Sequence, residues 1–266
     1  SVTTIGWGAF LDCKRLASVT FADRNDGNAL TFTSATLTST QQSAVERSNT
    51  GAFEGCINLK SIDLPQGTTS MPHSMFAASG LMSINVPASV NFVGNYAFAE
   101  CKSLVSAKFA PVENFVEFGK GMFLDCSALE EVVLPAYMHI IGSRANYQNR
   151  IVNQLPENTF RNCTSLEEIE LPSSITTIAT RAFYGCTSLN SVVFPARLYS
   201  IGADCFENCT GFENLVIPSN VTFIGQRCFA GWTDEQSITI SLKSYLPMDW
   251  NAWRSECDAS ISYILA

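Results

Sequence analysis

Ten cysteines and two histidines are the residues of this 266-residue chain that could support metal binding, redox chemistry or nucleophilic catalysis. Structural zinc needs four ligands in close pairs, and the one short cysteine spacing is Cys205-x-x-x-Cys209. A cysteine nucleophile needs a histidine beside it, and neither His73 nor His139 stands at a spacing that suggests such a pair. Both are therefore expected to be ordinary exposed histidines. No metal, cofactor or catalytic residue is predicted, and the chain is not expected to be an enzyme.

Seven of the cysteines share one position in a repeated pattern, three residues after a recurring phenylalanine. These phenylalanines are Phe10, Phe53, Phe76, Phe98, Phe123, Phe160, Phe183, Phe206 and Phe229. Their spacings are 43, 23, 22, 25, 37, 23, 23 and 23, so the period is 23, with insertions of 20, 2 and 14 residues. Cysteine at one fixed position indicates architecture rather than chemistry.

The seven aligned cysteines are expected to be buried free thiols. Residues in register on parallel strands lie about 4.8 Å apart, which is more than the Cβ separation of about 3.8 Å that a disulfide prefers. A buried thiol also packs well as a small apolar group. Cys205 and Cys228 share a second position, and Cys257 stands alone. Whether any of these three forms a disulfide is left open.

The repeated unit has the consensus I-G-x-x-A-F-x-x-C-x-x-L-x-x-I/V-x-L/F-P and occurs nine times. Its last two apolar positions alternate, which is typical of a short strand with one face inward, and the proline ends the strand. One 23-residue unit cannot bury its own apolar side chains, whereas stacked units form a continuous core and one long parallel sheet. The sequence therefore predicts a solenoid.

This pattern resembles the BspA-like branch of the leucine-rich repeats over roughly residues 1–240. The resemblance implies an α/β-type repeat solenoid that is right-handed, with a parallel β-sheet on its concave face and mostly strand and loop with little helix. Residues 241–266 are similar to the closing segment of some relatives and are predicted to form a C-terminal cap. Members of the family are mostly secreted or surface proteins of bacteria, implicated in adhesion.

The two longer insertions lie near residues 22–51 and 143–156, after the strand and before the next phenylalanine. In the first, the alternating residues 30–33 indicate an extra strand or a hairpin. The second carries Arg144, Tyr147 and Arg150, which are candidates for contact with a partner. The alternative for both insertions is a loop without a binding role.

The residues that flank the inward-facing strand positions must point outward and cover the predicted concave face. The candidate binding residues on this face are Asp63, Asn85, Lys108, Glu131, Glu168 and Glu170. Glu131, Glu168 and Glu170 are expected to repel one another unless a cation or a basic partner lies between them. The alternative is a solvated acidic patch that needs no partner.

Charge and hydropathy limit the classes of partner. The 16 Lys+Arg against 24 Asp+Glu give a net charge of -8, which argues against nucleic acid as a partner. No run of about 18 apolar residues occurs, so no transmembrane segment is predicted in this chain. Because the chain begins in mid-pattern at Ser1, an export signal is expected to have been removed. Unpaired cysteines in an exported protein would suit a reducing habitat.

These features together predict an exported or cell-surface leucine-rich repeat module that adheres to a protein or glycan of a host or neighbouring cell. Its location would be extracellular or at the cell surface. The alternative is a structural spacer that projects another domain. A third hypothesis, an enzyme built in the insertion loops, would require turnover that depends on His139 or Tyr147.

Overall fold

The computed structural model describes residues 2–21, 30–33, 50–112, 114–140, 152–242 and 252–265. Within these ranges the chain forms 18 short β-strands and one turn of 3-10 helix, and every strand pair is parallel. The predicted leucine-rich repeat solenoid, with parallel strands and almost no helix, is confirmed.

The L-x-x-I/V-x-L/F segments form what we call the first sheet, with one strand per repeat. It is paired in three blocks, β4-β6-β8, β11-β13 and β15-β17-β18, and an isolated bridge between Val19 and Ile62 extends it towards the N-terminus. Its strands are β4 (Ser83–Val86), β6 (Ser106–Phe109), β8 (Glu131–Val133), β11 (Glu168–Glu170), β13 (Ser191–Val193), β15 (Asn214–Ile217), β17 (Ser237–Leu242) and β18 (Ser260–Leu265).

The second extended stretch of each repeat forms a second sheet. Its blocks are β1-β2, β3-β5-β7-β9 and β10-β12-β14-β16. The strands are β1 (Thr4–Ile5), β2 (Thr31–Phe32), β3 (Ser70–Met71), β5 (Phe92–Val93), β7 (Val116–Phe118), β9 (Met138–Ile140), β10 (Gln154–Leu155), β12 (Thr177–Ile178), β14 (Ser200–Ile201) and β16 (Phe223–Ile224).

A column of phenylalanine rings forms the axis of the core. Consecutive rings from Phe10 to Phe229 lie 5.2–5.9 Å apart between centroids, with interplanar angles of 2–12°. All of them except Phe10 are fully buried. These separations are typical of offset-stacked aromatic rings, so each ring contacts the next and couples neighbouring repeats.

The aligned cysteines make a second recurring contact between repeats. Six thiols each donate a hydrogen bond to the phenylalanine carbonyl of the preceding repeat, at 2.9–3.1 Å; the donors are Cys56, Cys101, Cys126, Cys163, Cys186 and Cys209. In the next repeat Trp232 takes this position, and its Nε1–H donates to the carbonyl of Phe206 at 2.8 Å. What these side chains share is therefore a buried hydrogen-bond donor and not a reactive thiol.

Of the two alternatives for residues 30–33, the described residues show the strand, and the rest of the first insertion lies outside the described ranges. Thr31 and Phe32 form β2, which pairs in parallel with Thr4 and Ile5 of β1. Phe32 is buried in the common core and meets Phe53 edge-on, with ring centroids 6.3 Å apart. The alternating segment is thus a member of the second sheet, because its apolar side chain completes the core of its own repeat.

The C-terminal segment continues the first sheet. Strand β18 pairs with β17 over six residues, and the buried ring of Trp253 meets Phe229 edge-on at 5.7 Å instead of stacking on it. Arg227 forms ion pairs with Asp204, Glu207 and Glu256, which join the last full repeat to this segment. The division into a repeat domain, 1–240, and a cap, 241–266, remains a prediction.

All ten cysteines are free in the structure, and eight of them are buried. Burial raises the pKa of the Cys56 thiol to about 11 and raises those of Cys126, Cys163 and Cys209. We expect Ellman's reagent at neutral pH to modify only the exposed Cys13 and the half-buried Cys257 in the folded protein, because the reagent must reach the sulfur and the other eight thiols are buried. The others should react after unfolding. Two results would contradict the structure: rapid modification of more than these two thiols in the native state, or the appearance of fewer than eight further thiols on denaturation.

Candidate binding surface

The six residues predicted to line the concave face all lie exposed on the outward side of the first sheet. In β4, β6 and β8 the register pairs Asn85 with Lys108 and Ser106 with Glu131, which brings these side chains onto one surface. Glu168 and Glu170 stand opposite Ser191 and Val193 across the β11–β13 pair. Asp63 follows the bridge residue Ile62. We call this surface the sheet face.

The expected repulsion among the three central glutamates is relieved within the chain at Glu131. Its Oε1 lies 2.7 Å from Lys108 Nζ, and its Oε2 accepts a hydrogen bond from Ser106 at 3.2 Å. The hydrogen bond from Lys108 lowers the pKa of the Glu131 carboxyl below its ordinary value of 4.5. No external cation is needed here, because Lys108 already neutralises this carboxylate.

Glu168 and Glu170 differ from Glu131 in that neither carboxylate forms an ion pair with any of the described residues. Glu167 and Glu130, which the sequence interpretation missed, add two exposed carboxylates beside them. The signal was available in the motif, since Glu130 and Glu167 directly follow the leucine of their repeats and come one residue before the strand. The surface at the start of β8 and β11 is therefore more acidic than the candidate residues alone indicated.

Apolar side chains continue the sheet face beside these carboxylates. Val133, Val193 and Val216 point outward with 45%, 55% and 47% of their surface exposed. Val193 lies directly opposite Glu170 on the paired strand. A rigid sheet that presents apolar side chains next to charged ones has the composition of a protein-binding surface, where apolar contacts supply affinity and charges supply orientation.

The candidates in the second insertion lie outside the described residues. Arg144, Tyr147 and Arg150 belong to the range 141–151, so their role stays a prediction.

Both histidines differ from the expectation of exposed side chains. His73 is half-buried, its Nδ1 accepts a hydrogen bond from the Asn95 backbone N–H at 2.8 Å, and burial lowers its pKa. His139 is only 2% exposed because β9 carries it beneath Phe115. Periodicity could not reveal this burial, since it depends on the length of the neighbouring loop.

The described residues give no support to metal or thiolate chemistry. No group of three His, Cys, Asp or Glu side chains is arranged among them to hold a metal ion. Burial raises the pKa values of the Cys126, Cys163 and Cys209 thiols, whereas a thiolate nucleophile needs a lowered pKa. Among the described helices, none has both the length and the apolar character to cross a membrane.

The family follows from the repeat pattern and its register. The model of the BspA type leucine rich repeat region matches residues 1–105, 28–153 and 153–247. The chain belongs to the BspA-type leucine-rich repeat family. A comparison with curated proteins finds no match.

Several solved structures, most of them of leucine-rich repeat proteins, are similar to this chain. The T. pallidum leucine-rich repeat protein TpLRR is similar at 25% identity with a TM-score of 0.51, over 60% of this chain and 68% of that one. A leucine-rich repeat protein from Bacteroides ovatus has 20% identity and a TM-score of 0.34 over 80% of this chain and 73% of that one. The pneumococcal vaccine antigen PcpA has 19% identity and a TM-score of 0.32 over 78% of this chain and 60% of that one.

The Lys108–Glu131 pair predicts a measurable change in acidity. In Lys108→Ala the pKa of Glu131 should rise towards 4.5, because the hydrogen bond that favours the carboxylate is lost. Carboxyl-detected NMR titration measures it. The depressed pKa means that the pair stabilises the fold above the unfolded-state pKa and that this contribution is lost as the pH falls through the folded-state value. Since both side chains are about half exposed, the contribution to unfolding free energy should be small.

Lys102→Ala is the control, because Lys102 is exposed but lies outside the first sheet. An unchanged Glu131 pKa in Lys108→Ala, or an equal rise in both variants, would show that the pair does not form in solution.

Proposed function

We propose that this chain is an extracellular binding module that attaches a bacterial surface to a host or neighbouring cell by docking a protein ligand on the sheet face. The observation that carries the proposal is the exposed patch made by Glu168, Glu170, Val193 and Val216 on the outward side of the first sheet. Membership of the BspA type supports a surface location and a binding role. Repeat solenoids of this family are typically not enzymes, which agrees with the lack of predicted catalytic residues.

The charge of the patch indicates the character of the ligand. Uncompensated carboxylates at the centre of the sheet face attract a surface rich in Lys or Arg, and the net charge of -8 strengthens this attraction at long range. The adjacent valines give the ligand an apolar area to bury. The ligand is therefore proposed to be a protein with a basic, partly apolar docking surface.

An array of extracellular proteins probed with the purified chain would test this function. For each ligand found, Glu168→Lys combined with Glu170→Lys should weaken binding by about 10-fold or more, mainly by slowing association, because the charge pairing is reversed. Surface plasmon resonance at low and high ionic strength measures both the affinity and its salt dependence. The salt dependence should be smaller in the variant than in the unmodified chain.

The matched control is Glu157→Lys combined with Asp234→Lys. It makes the same charge change at two exposed carboxylates outside the first sheet. Equal weakening by both double variants would mean that net charge alone governs binding, and unchanged affinity in the sheet-face variant would exclude this docking surface. An array with no ligand would favour the alternative function, a spacer that projects another domain.

A further inference from the structure

A cleft opens on the side of the solenoid, away from the sheet face. It has a volume of about 790 Å³ and lies between residues 88–91, residues 111–112 and 114–117, and His139 of three successive repeats. We call it the side cleft. Cavities of roughly 300–1,000 Å³ are the usual size for binding small molecules. Its residues take no part in the sheet face or in the phenylalanine column.

The side cleft results from the two-residue insertion that separates Phe98 and Phe123 by 25 residues. In an ordinary repeat seven positions separate the first-sheet residue from its second-sheet counterpart, as from Val193 to Ser200 or from Asn85 to Phe92. The corresponding step from Lys108 to Glu117 takes nine positions.

The next repeat is short at the same place, because only six positions lead from Val133 to His139. A long connection therefore stands beside a shorter one on each side. The longer one projects as a wall, and the space beside it is not filled by the neighbouring repeats.

The wall of the side cleft carries an aromatic cluster. The Phe115 ring lies edge-on to Tyr137 at 5.5 Å and to His139 at 5.7 Å, between ring centroids. Both contacts fix the Phe115 ring at the edge of the cavity that it lines. A fixed, half-buried ring gives a flat apolar surface for one face of a ligand.

Polar side chains surround this ring. Asn91 and Asn114 line the cleft with exposed amides, and Glu117 lines it with a half-buried carboxylate. An amide offers donors and acceptors together, whereas a carboxylate accepts only. His139, which is 2% exposed, closes the floor beside Glu117, its register partner on β7.

The lining determines which ligand chemistry fits. Amides and a carboxylate around one aromatic ring suit a ligand with several hydroxyl groups and one apolar face. A wholly apolar ligand would remove water from Glu117 and the amides without replacing their hydrogen bonds. The described lining contains a carboxylate and no Lys or Arg, so an anionic ligand is disfavoured.

We propose that the side cleft binds a neutral saccharide of one or two sugar rings, with Phe115 as the stacking surface and Asn91, Asn114 and Glu117 as hydrogen-bonding groups. This site is separate from the protein-docking sheet face and does not depend on it. The connection from residues 109 to 117 thus has a binding role and is more than a variation in repeat length.

The test uses the whole 266-residue chain and defined sugars. Saturation-transfer NMR followed by titration calorimetry would be run with glucose, galactose, mannose, N-acetylglucosamine, lactose and cellobiose, and with glucuronic acid as the anionic comparison. We expect saturable binding of at least one neutral sugar and weaker or no binding of glucuronic acid. Asn91→Ala combined with Asn114→Ala should weaken that binding by about 10-fold or more, since two hydrogen-bonding groups are lost.

Two further variants separate binding from folding. Glu117→Gln keeps the size of the side chain and should reduce affinity while the chain still unfolds cooperatively. Thr222→Ala is the matched control, because Thr222 holds the position of Asn91 in a later repeat, before β16 and away from the side cleft. It should bind the sugar as the unmodified chain does.

The proposal is overturned if no neutral sugar of the panel binds saturably, which would include the case of a cleft that accepts a peptide instead. It is also overturned if the double asparagine variant binds unchanged, or if glucuronic acid binds as tightly as the neutral sugars. Charge reversal at Glu168 and Glu170 should leave sugar binding intact, so failure of this site and failure of the sheet face are distinguishable.

Discussion

Stacking of phenylalanine rings between repeats is the interaction on which the rest of the molecule depends. Eight successive contacts at 5.2–5.9 Å run from Phe10 to Phe229, and they continue through both long insertions without a break. A repeat buries its apolar side chains only against its neighbours, so the column sets both the register and the spacing of the sheets. The thiol hydrogen bonds to the phenylalanine carbonyls follow the same register.

This constraint decides where the chain can vary. The segment from phenylalanine to the first-sheet strand must keep its length, because it carries the ring, the buried donor and the strand. The stretch between the first-sheet strand and the next phenylalanine has no such requirement, and all three insertions occur there. Variable connections at the side and exposed strand residues on the sheet face are thus the two places where such a solenoid can acquire specific binding.

Much of the fold could be predicted from the sequence, because one period governs the core. The phenylalanine spacings predict the column, and the alternation of apolar residues predicts which side chains cover the sheet face. The contacts and burial that could not be predicted depend on how repeats of unequal length pack against each other. Lys108 reaches Glu131 only in the actual register, and His139 is buried only because the neighbouring connection carries Phe115 over it.

The position of residues 30–33 in the fold could not be predicted for a related physical reason. Residues 30–33 alternate as a hairpin strand would, but the same alternation serves a strand of the second sheet that places Phe32 in the core. The sequence also did not predict that Trp232 acts as a hydrogen-bond donor in the cysteine position. The property shared at this position is a buried donor and not a residue type.

The free energy of urea unfolding of Phe160→Ala, compared with that of the unmodified chain, tests the central claim most directly. Phe160 stacks on Phe123 and Phe183 at the middle of the column and is fully buried. Its loss should cost about 3–5 kcal/mol, and Phe160→Leu should cost less, because the cavity is smaller. Phe223→Ala, which removes an exposed ring from β16, should change little. A cost for Phe160→Ala no larger than that for Phe223→Ala would contradict the view that the ring column holds the repeats together.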